Sequence, residues 1–164
     1  MVDYRRNRVP GGTFFFTVNL HNRQSKLLVD RVVELRDSFT AVREKHPFHI
    51  DAIVVLPNHL HAILTLLEGD DDYALRWRLI KTRFTQSPIR SADTKVWQDR
   101  YWEHTIRDEP DFEAHVNYVH INPVRHGYVD RASVWQHSSI HRYIREGIVT
   151  TDWAVKPSTG KFGE

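Results

Sequence analysis

The sequence contains no cysteine, which excludes disulfide bonds, thiolate metal sites and cysteine nucleophiles. It also lacks an apolar run long enough to cross a bilayer, and its first stretch, MVDYRRNRVPGG, has no apolar centre typical of a secretory signal. These absences predict a cytoplasmic protein without membrane contact. Any metal site must use histidine, carboxylate or amide ligands.

The sequence also lacks a large excess of positive or negative charge. The net charge is +2 at pH 7, with 11 histidines and a sequence pI near 9.0, which permits a nucleic-acid partner without establishing one. The 164 residues, 40% of them hydrophobic, suffice for one domain with a sizeable core. We predict a domain over residues 1–145 and a tail over 146–164.

Hydrophobic periodicity and turn residues predict a β-α-β-β-α-β-α order. The strands are expected at 13–20, 48–56, 59–67 and 96–106, and the helices at 27–45, at 73–87 and from Pro110 to an end near Pro123 and Gly127. A short helical or turn segment is expected around SSIHRYI. This order predicts an α+β, ferredoxin-like split β-α-β fold with an antiparallel sheet and helices mainly on one face.

Two histidines interrupt the apolar stretch VVLPNHLHAILTL, residues 54–66. Residues two apart in a strand point to the same side, so His59 and His61 project together with Ile63 and Thr65. Two neighbouring imidazoles suit one divalent ion. On this evidence alone, ordinary packing or solvation of the pair is the commoner explanation, and a metal site needs a third ligand.

The predicted helix after Pro110 offers polar residues at helical spacing. Asp111, His115, Tyr118 and Asn122 form one stripe beside an apolar stripe that would dock on the sheet. Tyr118 and Asn122 each have an ordinary alternative. Tyr118 could be an amphipathic residue at the margin of the helix, and Asn122 could be a terminal cap. Pro123 also disfavours helical geometry at Asn122.

The segments PNHLHAIL and HVNYVHINPVRHGYV resemble the single-tyrosine transposases of the HUH superfamily, and in particular the REP-associated tyrosine transposases. Other segments resemble that family in the same order, from about residue 4 to residue 145. An H-x-H motif alone is common, whereas H-x-H followed by Y-x-x-x-N-P is specific. One local departure is Asn58, where aspartate is more usual.

This resemblance implies a role for each matching residue. His59, His61 and Asn122 would be the ligands of Mg²⁺ or Mn²⁺, and Tyr118 would be the nucleophile. The implied activity is a metal-dependent single-stranded DNA endonuclease and strand transferase. It would act at hairpin DNA resembling REP elements, through a covalent 5′-phosphotyrosine intermediate.

Basic and aromatic residues outside the motif are predicted to bind single-stranded or hairpin DNA: Arg5, Arg6, Arg8, Arg78, Lys81, Arg83, Arg100, Tyr101 and Trp102. The chain could act as a monomer or a homodimer. Two other functions stay open at this point. One is a module that binds hairpin DNA or RNA without cleaving it, and the other is a metal-dependent hydrolase that uses activated water.

Overall fold

A computed structural model describes residues 7–87 and 94–155. In chain order the elements are β1 (Thr13–Asn19), α1 (Leu27–Asp30), α2 (Val32–Lys45), β2 (Phe48–Val55), β3 (His59–Leu66), α3 (Tyr73–Gln86), β4 (Trp102–Thr105), α4 (Glu109–Arg125), a 3-10 turn (Ala132–Val134) and α5 (Ile140–Arg145). None of the helices in these ranges combines the length and the apolar character that a membrane span requires.

The four strands form one antiparallel sheet in the order β2-β3-β1-β4. Each of the two consecutive β-α-β units contributes one central strand and one edge strand, with a helical crossover between β1 and β2 and another between β3 and β4. This order is that of the ferredoxin-like split β-α-β pattern. The predicted α+β class is therefore confirmed.

The two faces of the sheet carry different layers because side chains alternate along each strand. Phe14, Phe16 and Val18 of β1 enter the larger core with α2 and α3, where the apolar face of α3 is fully buried. Phe15 points to the opposite face, where α4 packs through Val116 and other residues in a smaller core. The helices thus lie mainly on one face, and α4 crosses the other.

Two predicted elements differ from the structure. The helix expected at 27–45 is divided at Arg31, whose φ of −121° and ψ of 38° are not helical. The strand expected at 96–106 is a continuous ladder only at Trp102–Thr105, while Trp97 forms a single bridge with Leu20. Between these two pairings the chain leaves the sheet, and Tyr101 turns into the larger core.

The outer edge of β2 is covered by residues that follow in sequence after α4. Val55 N–H donates to the carbonyl of His137, and Ile53 N–H donates to the Ser139 hydroxyl at 2.8 Å. Tyr143 of α5 donates to the carbonyl of Asp51. Part of the predicted tail is packed as well, since Val149, Trp153 and Ala154 contact a small cluster built on Val124, Ala132 and Ile140. The division at residue 145 stays a prediction.

Candidate active site

His59 and His61 lie at the start of β3 on the face that α4 crosses. In the strand register His61 is opposite Thr17, and His59 is opposite Asn19. Their ring centroids are 4.9 Å apart, and the residues are only 5% and 3% exposed. The alternation of β3 therefore brings both imidazoles to one buried position.

Hydrogen bonds at the far side of each ring orient the two imidazoles. Asn58 Nδ2 donates to the carbonyl of Arg23 at 2.7 Å, so its Oδ1 faces His59 and can only accept. His59 Nδ1 therefore carries the proton, and its Nε2 keeps a lone pair. Thr17 Oγ1 lies 2.8 Å from His61 Nδ1. His61 Nε2 is buried and has no hydrogen-bond partner among the described residues.

The helix α4 carries Tyr118 and Asn122 to the same place. The half-buried Tyr118 ring lies 5.2 Å from the His61 ring, centroid to centroid. Asn122 is fully buried and donates from Nδ2 to the carbonyl of Tyr118 at 3.1 Å. Asn122 Oδ1 meets no hydrogen-bond donor in the described part of the chain. The structure thus brings together the four residues singled out at the predicted site.

Burial keeps both imidazoles neutral near pH 7. It lowers the pKa of His61 to about 3, with further lowering from His59 and His126, while a polar contact with the Asn122 side chain opposes the change. It lowers the pKa of His59 to about 4, and the charges of His126 and Arg23 act in the same direction. Neutral imidazoles offer lone pairs, which a cation requires.

The donor set fits a divalent cation. His61 Nε2 and Asn122 Oδ1 are buried polar atoms that form no hydrogen bond within the described residues, which is costly in a folded protein unless a bound group compensates. His59 Nε2 adds a third lone pair, as its tautomer is fixed by Asn58. Two imidazole nitrogens and one amide oxygen, with open positions left for substrate, suit several divalent ions.

Two residues of this site escaped the sequence interpretation. The Arg125 guanidinium carbon lies 5.3 Å from the centroid of the Tyr118 ring, and the His126 ring lies 5.2 Å from the His59 ring. The signal was present, because positions 125 and 126 continue the stripe of Tyr118 and Asn122 by helical spacing. It was missed because the stripe was followed only to Asn122, where Pro123 was expected to disfavour helical geometry, whereas α4 continues through Pro123 to Arg125.

A second polar cluster lies nearby on the same face. Donor atoms of His104, Asp111 and His115 lie within 4.8 Å of one another, close enough for a metal ion. The two imidazoles are stacked, however, with centroids 4.5 Å apart and planes inclined by 16°. Lone pairs in nearly parallel ring planes do not converge on one ion, so this arrangement is better suited to hydrogen bonding around a carboxylate.

Asp111 is the centre of that cluster. Its Oδ2 accepts from His104 Nε2 at 2.9 Å and from the backbone and side chain of Arg107. Burial alone would raise the pKa of Asp111, but these hydrogen bonds outweigh it and hold the pKa well below its ordinary value. The cluster ties β4 to the first turns of α4, and His115 packs on Phe15 beside Tyr118.

The predicted DNA-binding residues are divided between the two faces. Trp102 is 63% exposed and is paired with Thr17, which places it on the histidine face of the sheet. Arg100 is also exposed. Tyr101 is not a free stacking surface as expected, because its ring is buried against Phe16 and Trp77 on the opposite face.

The remaining predicted DNA-binding residues lie away from the histidines. Arg78 and Arg83 are exposed on α3, across the sheet, and Lys81 of the same helix donates to the carbonyl of Gln98 at 3.0 Å. Arg8 is exposed before β1. Arg5 and Arg6 lie outside the described residues.

Comparison with known proteins gives close relatives. The chain is 48% identical to a REP-associated tyrosine transposase of Escherichia coli K12 over 164 residues, covering 100% of this chain and 98% of the relative. A Haemophilus influenzae protein whose name refers to the same family is 38% identical, with 96% of each chain covered. No family model matches the chain.

A solved structure is also similar over the full length. It is that of a REP-associated tyrosine transposase bound to a REP hairpin, with a TM-score of 0.89 and 46% sequence identity. The alignment covers 100% of this chain and 98% of the solved chain.

Proposed function

The chain belongs to the REP-associated tyrosine transposases, and from that premise we propose that it cleaves and rejoins single-stranded DNA beside a hairpin, with Tyr118 as nucleophile. The observation that carries the proposal is the position of the Tyr118 ring, 5.2 Å from the His61 ring. The Tyr118 hydroxyl is not engaged in a hydrogen bond with any described residue, so it is available to a substrate.

In this proposal His59, His61 and Asn122 hold Mg²⁺ or Mn²⁺. Such an ion, when bound, neutralises phosphate charge and orients the scissile bond. The protein's part is to present unprotonated ligands. Asn58 fixes the His59 tautomer, and burial keeps His61 neutral. The backbone carbonyl of Tyr118 orients the Asn122 amide, whose oxygen is left for the ion.

Tyr118 attacks the scissile phosphorus. The Oη–P bond forms as the P–O3′ bond breaks, and the electron pair leaves with the 3′ oxygen. The phenol gives up one proton and the 3′ oxygen takes up one, so the charge of the diester is unchanged. The product is a 5′-phosphotyrosine ester, which a 3′-hydroxyl can attack in reverse. A phenol leaves phosphorus more readily than a serine alkoxide would, which favours rejoining over a stable adduct.

We propose hairpin DNA as the substrate because a close structural relative is bound to a REP hairpin. Trp102 is suited to stack a base of the single-stranded flank, since it is exposed on the histidine face. Base stacking on an aromatic ring contributes about 1–3 kcal/mol per base. The exposed Arg78 and Arg83 of α3, and the exposed Arg8 before β1, would contact phosphates of the hairpin stem.

A covalent-adduct assay tests the proposal. A labelled hairpin oligonucleotide with a single-stranded flank is incubated with protein and Mn²⁺ and then separated on a denaturing gel. Wild-type protein should give a protein–DNA band, and Tyr118→Phe should give none. The matched control is Tyr128→Phe, an exposed tyrosine near His126 that should retain the band. His61→Ala should abolish cleavage and leave hairpin binding largely intact.

Two outcomes would contradict the proposal. Hairpin binding with no cleavage by the wild-type protein would support the module that only binds. Cleavage that persists in Tyr118→Phe without a covalent band would support a hydrolase that uses activated water.

A further inference from the structure

We propose that Arg125 is a further catalytic residue, which binds the non-bridging oxygens of the scissile phosphate while Tyr118 attacks it. This inference rests on the proposed function, since it assumes that Tyr118 is the nucleophile. It adds a role for a residue that lies outside both the histidine motif and the tyrosine motif.

The geometry of α4 places Arg125 beside the nucleophile. Seven residues correspond to about two helical turns, so Arg125 and Tyr118 share one side of the helix. The guanidinium carbon lies 5.3 Å from the centroid of the Tyr118 ring, within the range of a cation–π contact. The contact orients the phenol and keeps the cation within reach of a group bound at its hydroxyl.

No carboxylate of the described residues competes with an external anion for Arg125. Among the described residues no carboxylate forms an ion pair with it, and it is exposed at the end of α4. Other arginines do have such partners: Arg76 is paired with Asp70, and Arg107 with Asp111. An exposed guanidinium that faces a phenol and lacks a carboxylate is ready to bind an external anion.

The charge of Arg125 reaches the site. The guanidinium carbon lies 5.3 Å from the centroid of the Tyr118 ring, and that ring lies 5.2 Å from the His61 ring. A phosphate bound between the imidazoles and Tyr118 would therefore lie within the field of this cation.

The proposed reaction has a step at which the Arg125 guanidinium would stabilise the transition state. As the Oη–P bond forms and the P–O3′ bond breaks in line, phosphorus passes through a five-coordinate arrangement, and the two non-bridging oxygens, which carry the negative charge, move into its equatorial plane. A guanidinium can donate two parallel N–H bonds to those oxygens, which an ammonium cannot do with the same geometry. The contact is stronger in the transition state than in the bound substrate, so it raises the rate more than the affinity.

The test separates rate from binding. Single-turnover cleavage of the hairpin oligonucleotide with Mn²⁺ is measured for wild type, Arg125→Gln and Arg125→Lys, together with the Kd for the uncleaved oligonucleotide. Arg125→Gln should cut about 10²–10³-fold more slowly, the usual effect of removing one such donor. Its Kd should change by less than about fivefold, because the contact of Arg125 with the bound substrate is the weaker one and all other contacts are kept. Arg125→Lys should recover part of the lost rate.

The control is Arg145→Gln, which removes an exposed arginine in the last turn of α5. It should cleave at the wild-type rate. A second measurement replaces one non-bridging oxygen of the scissile phosphate by sulfur and compares the change in cleavage rate between wild type and Arg125→Gln. If Arg125 had only a structural role, this change would be the same in both proteins. Sulfur accepts hydrogen bonds poorly, so one diastereomer should slow wild type and have little further effect on Arg125→Gln.

The results distinguish this inference from the proposed function. If wild-type protein forms no covalent adduct, the proposed function fails. If wild type cleaves and Arg125→Gln cleaves equally fast with an unchanged sulfur effect, Arg125 does not bind the phosphate and the inference is overturned. A rate loss matched by an equal loss of oligonucleotide affinity would also overturn it.

Discussion

Acid should weaken the folded state through His120, a buried histidine on the side of α4 that faces the edge of the sheet. Its Nε2 lies 2.8 Å from the Ser139 hydroxyl, and the residue is 1% exposed. Burial lowers the pKa of His120 from 6.5 to about 4, with the charge of Arg142 acting in the same direction. The folded protein therefore binds a proton at this position less readily than the unfolded chain does.

The sign and size of the effect follow from proton linkage. Above about pH 6.5 His120 is neutral in both the folded and the unfolded state, so its titration does not change the free energy of unfolding. Between about pH 6.5 and pH 4 His120 becomes protonated in the unfolded chain but stays neutral in the folded protein, so the free energy of unfolding falls as the pH falls. A tenfold difference in proton affinity is worth about 1.4 kcal/mol, which gives a loss of about 2.5 kcal/mol by about pH 4.5.

Urea denaturation followed by tryptophan fluorescence measures this loss in wild type and in His120→Gln. Glutamine places an amide nitrogen near the position of Nε2 and does not titrate. The stability of wild type relative to the variant should therefore fall by about 2.5 kcal/mol between about pH 7.5 and pH 4.5. Other buried histidines, His59 and His61 among them, affect both proteins alike and cancel. Stability curves that run parallel over this pH range would refute the reasoning.

Two further changes have defined outcomes. Asn58→Ala removes the acceptor that fixes the His59 tautomer and should weaken Mn²⁺ binding by about 10–100-fold, measured by calorimetry on DNA-free protein; equal affinities would show that this hydrogen bond does not orient a ligand. Asp70→Asn leaves the buried guanidinium of Arg76 without its counter-ion and should lower the free energy of unfolding by about 3 kcal/mol, measured in urea. Asp71→Asn, one residue away, is its control, and an equal loss in both variants would contradict the ion-pair argument.

Much of the fold could be predicted because it is encoded in local periodicity. The alternation of β1 and β3 assigns each side chain to a face without reference to the rest of the chain. The apolar stripe of α3 predicts its burial in the same way. The grouping of the histidines with Tyr118 combined two such local patterns with a family resemblance.

What could not be predicted depends on contacts between distant parts of the chain. Pro123 indicates the end of a helix, yet α4 continues through it to Arg125. The turn after the proline is closed by His126 N–H, which donates to the carbonyl of Asn122, and by Gly127 N–H, which donates to the carbonyl of Val124. The RYW segment gives no local indication that Tyr101 turns into the larger core while Trp102 stays exposed. The ring stacking around Asp111 likewise arises only when β4 meets α4.

The covered edge of β2 has a consequence for the synthesis of the protein. The backbone N–H groups of Ile53 and Val55 are satisfied by Ser139 and His137, and Ser139 is 86 residues after Ile53. At a typical rate of about 5–20 residues per second, a ribosome needs between about 4 and 17 seconds to translate that interval. Throughout this time the nascent sheet has an open edge that can pair with other chains. A transcript truncated before codon 137 would leave that edge open permanently, so its product should depend on chaperones even though every residue of the candidate metal site is present.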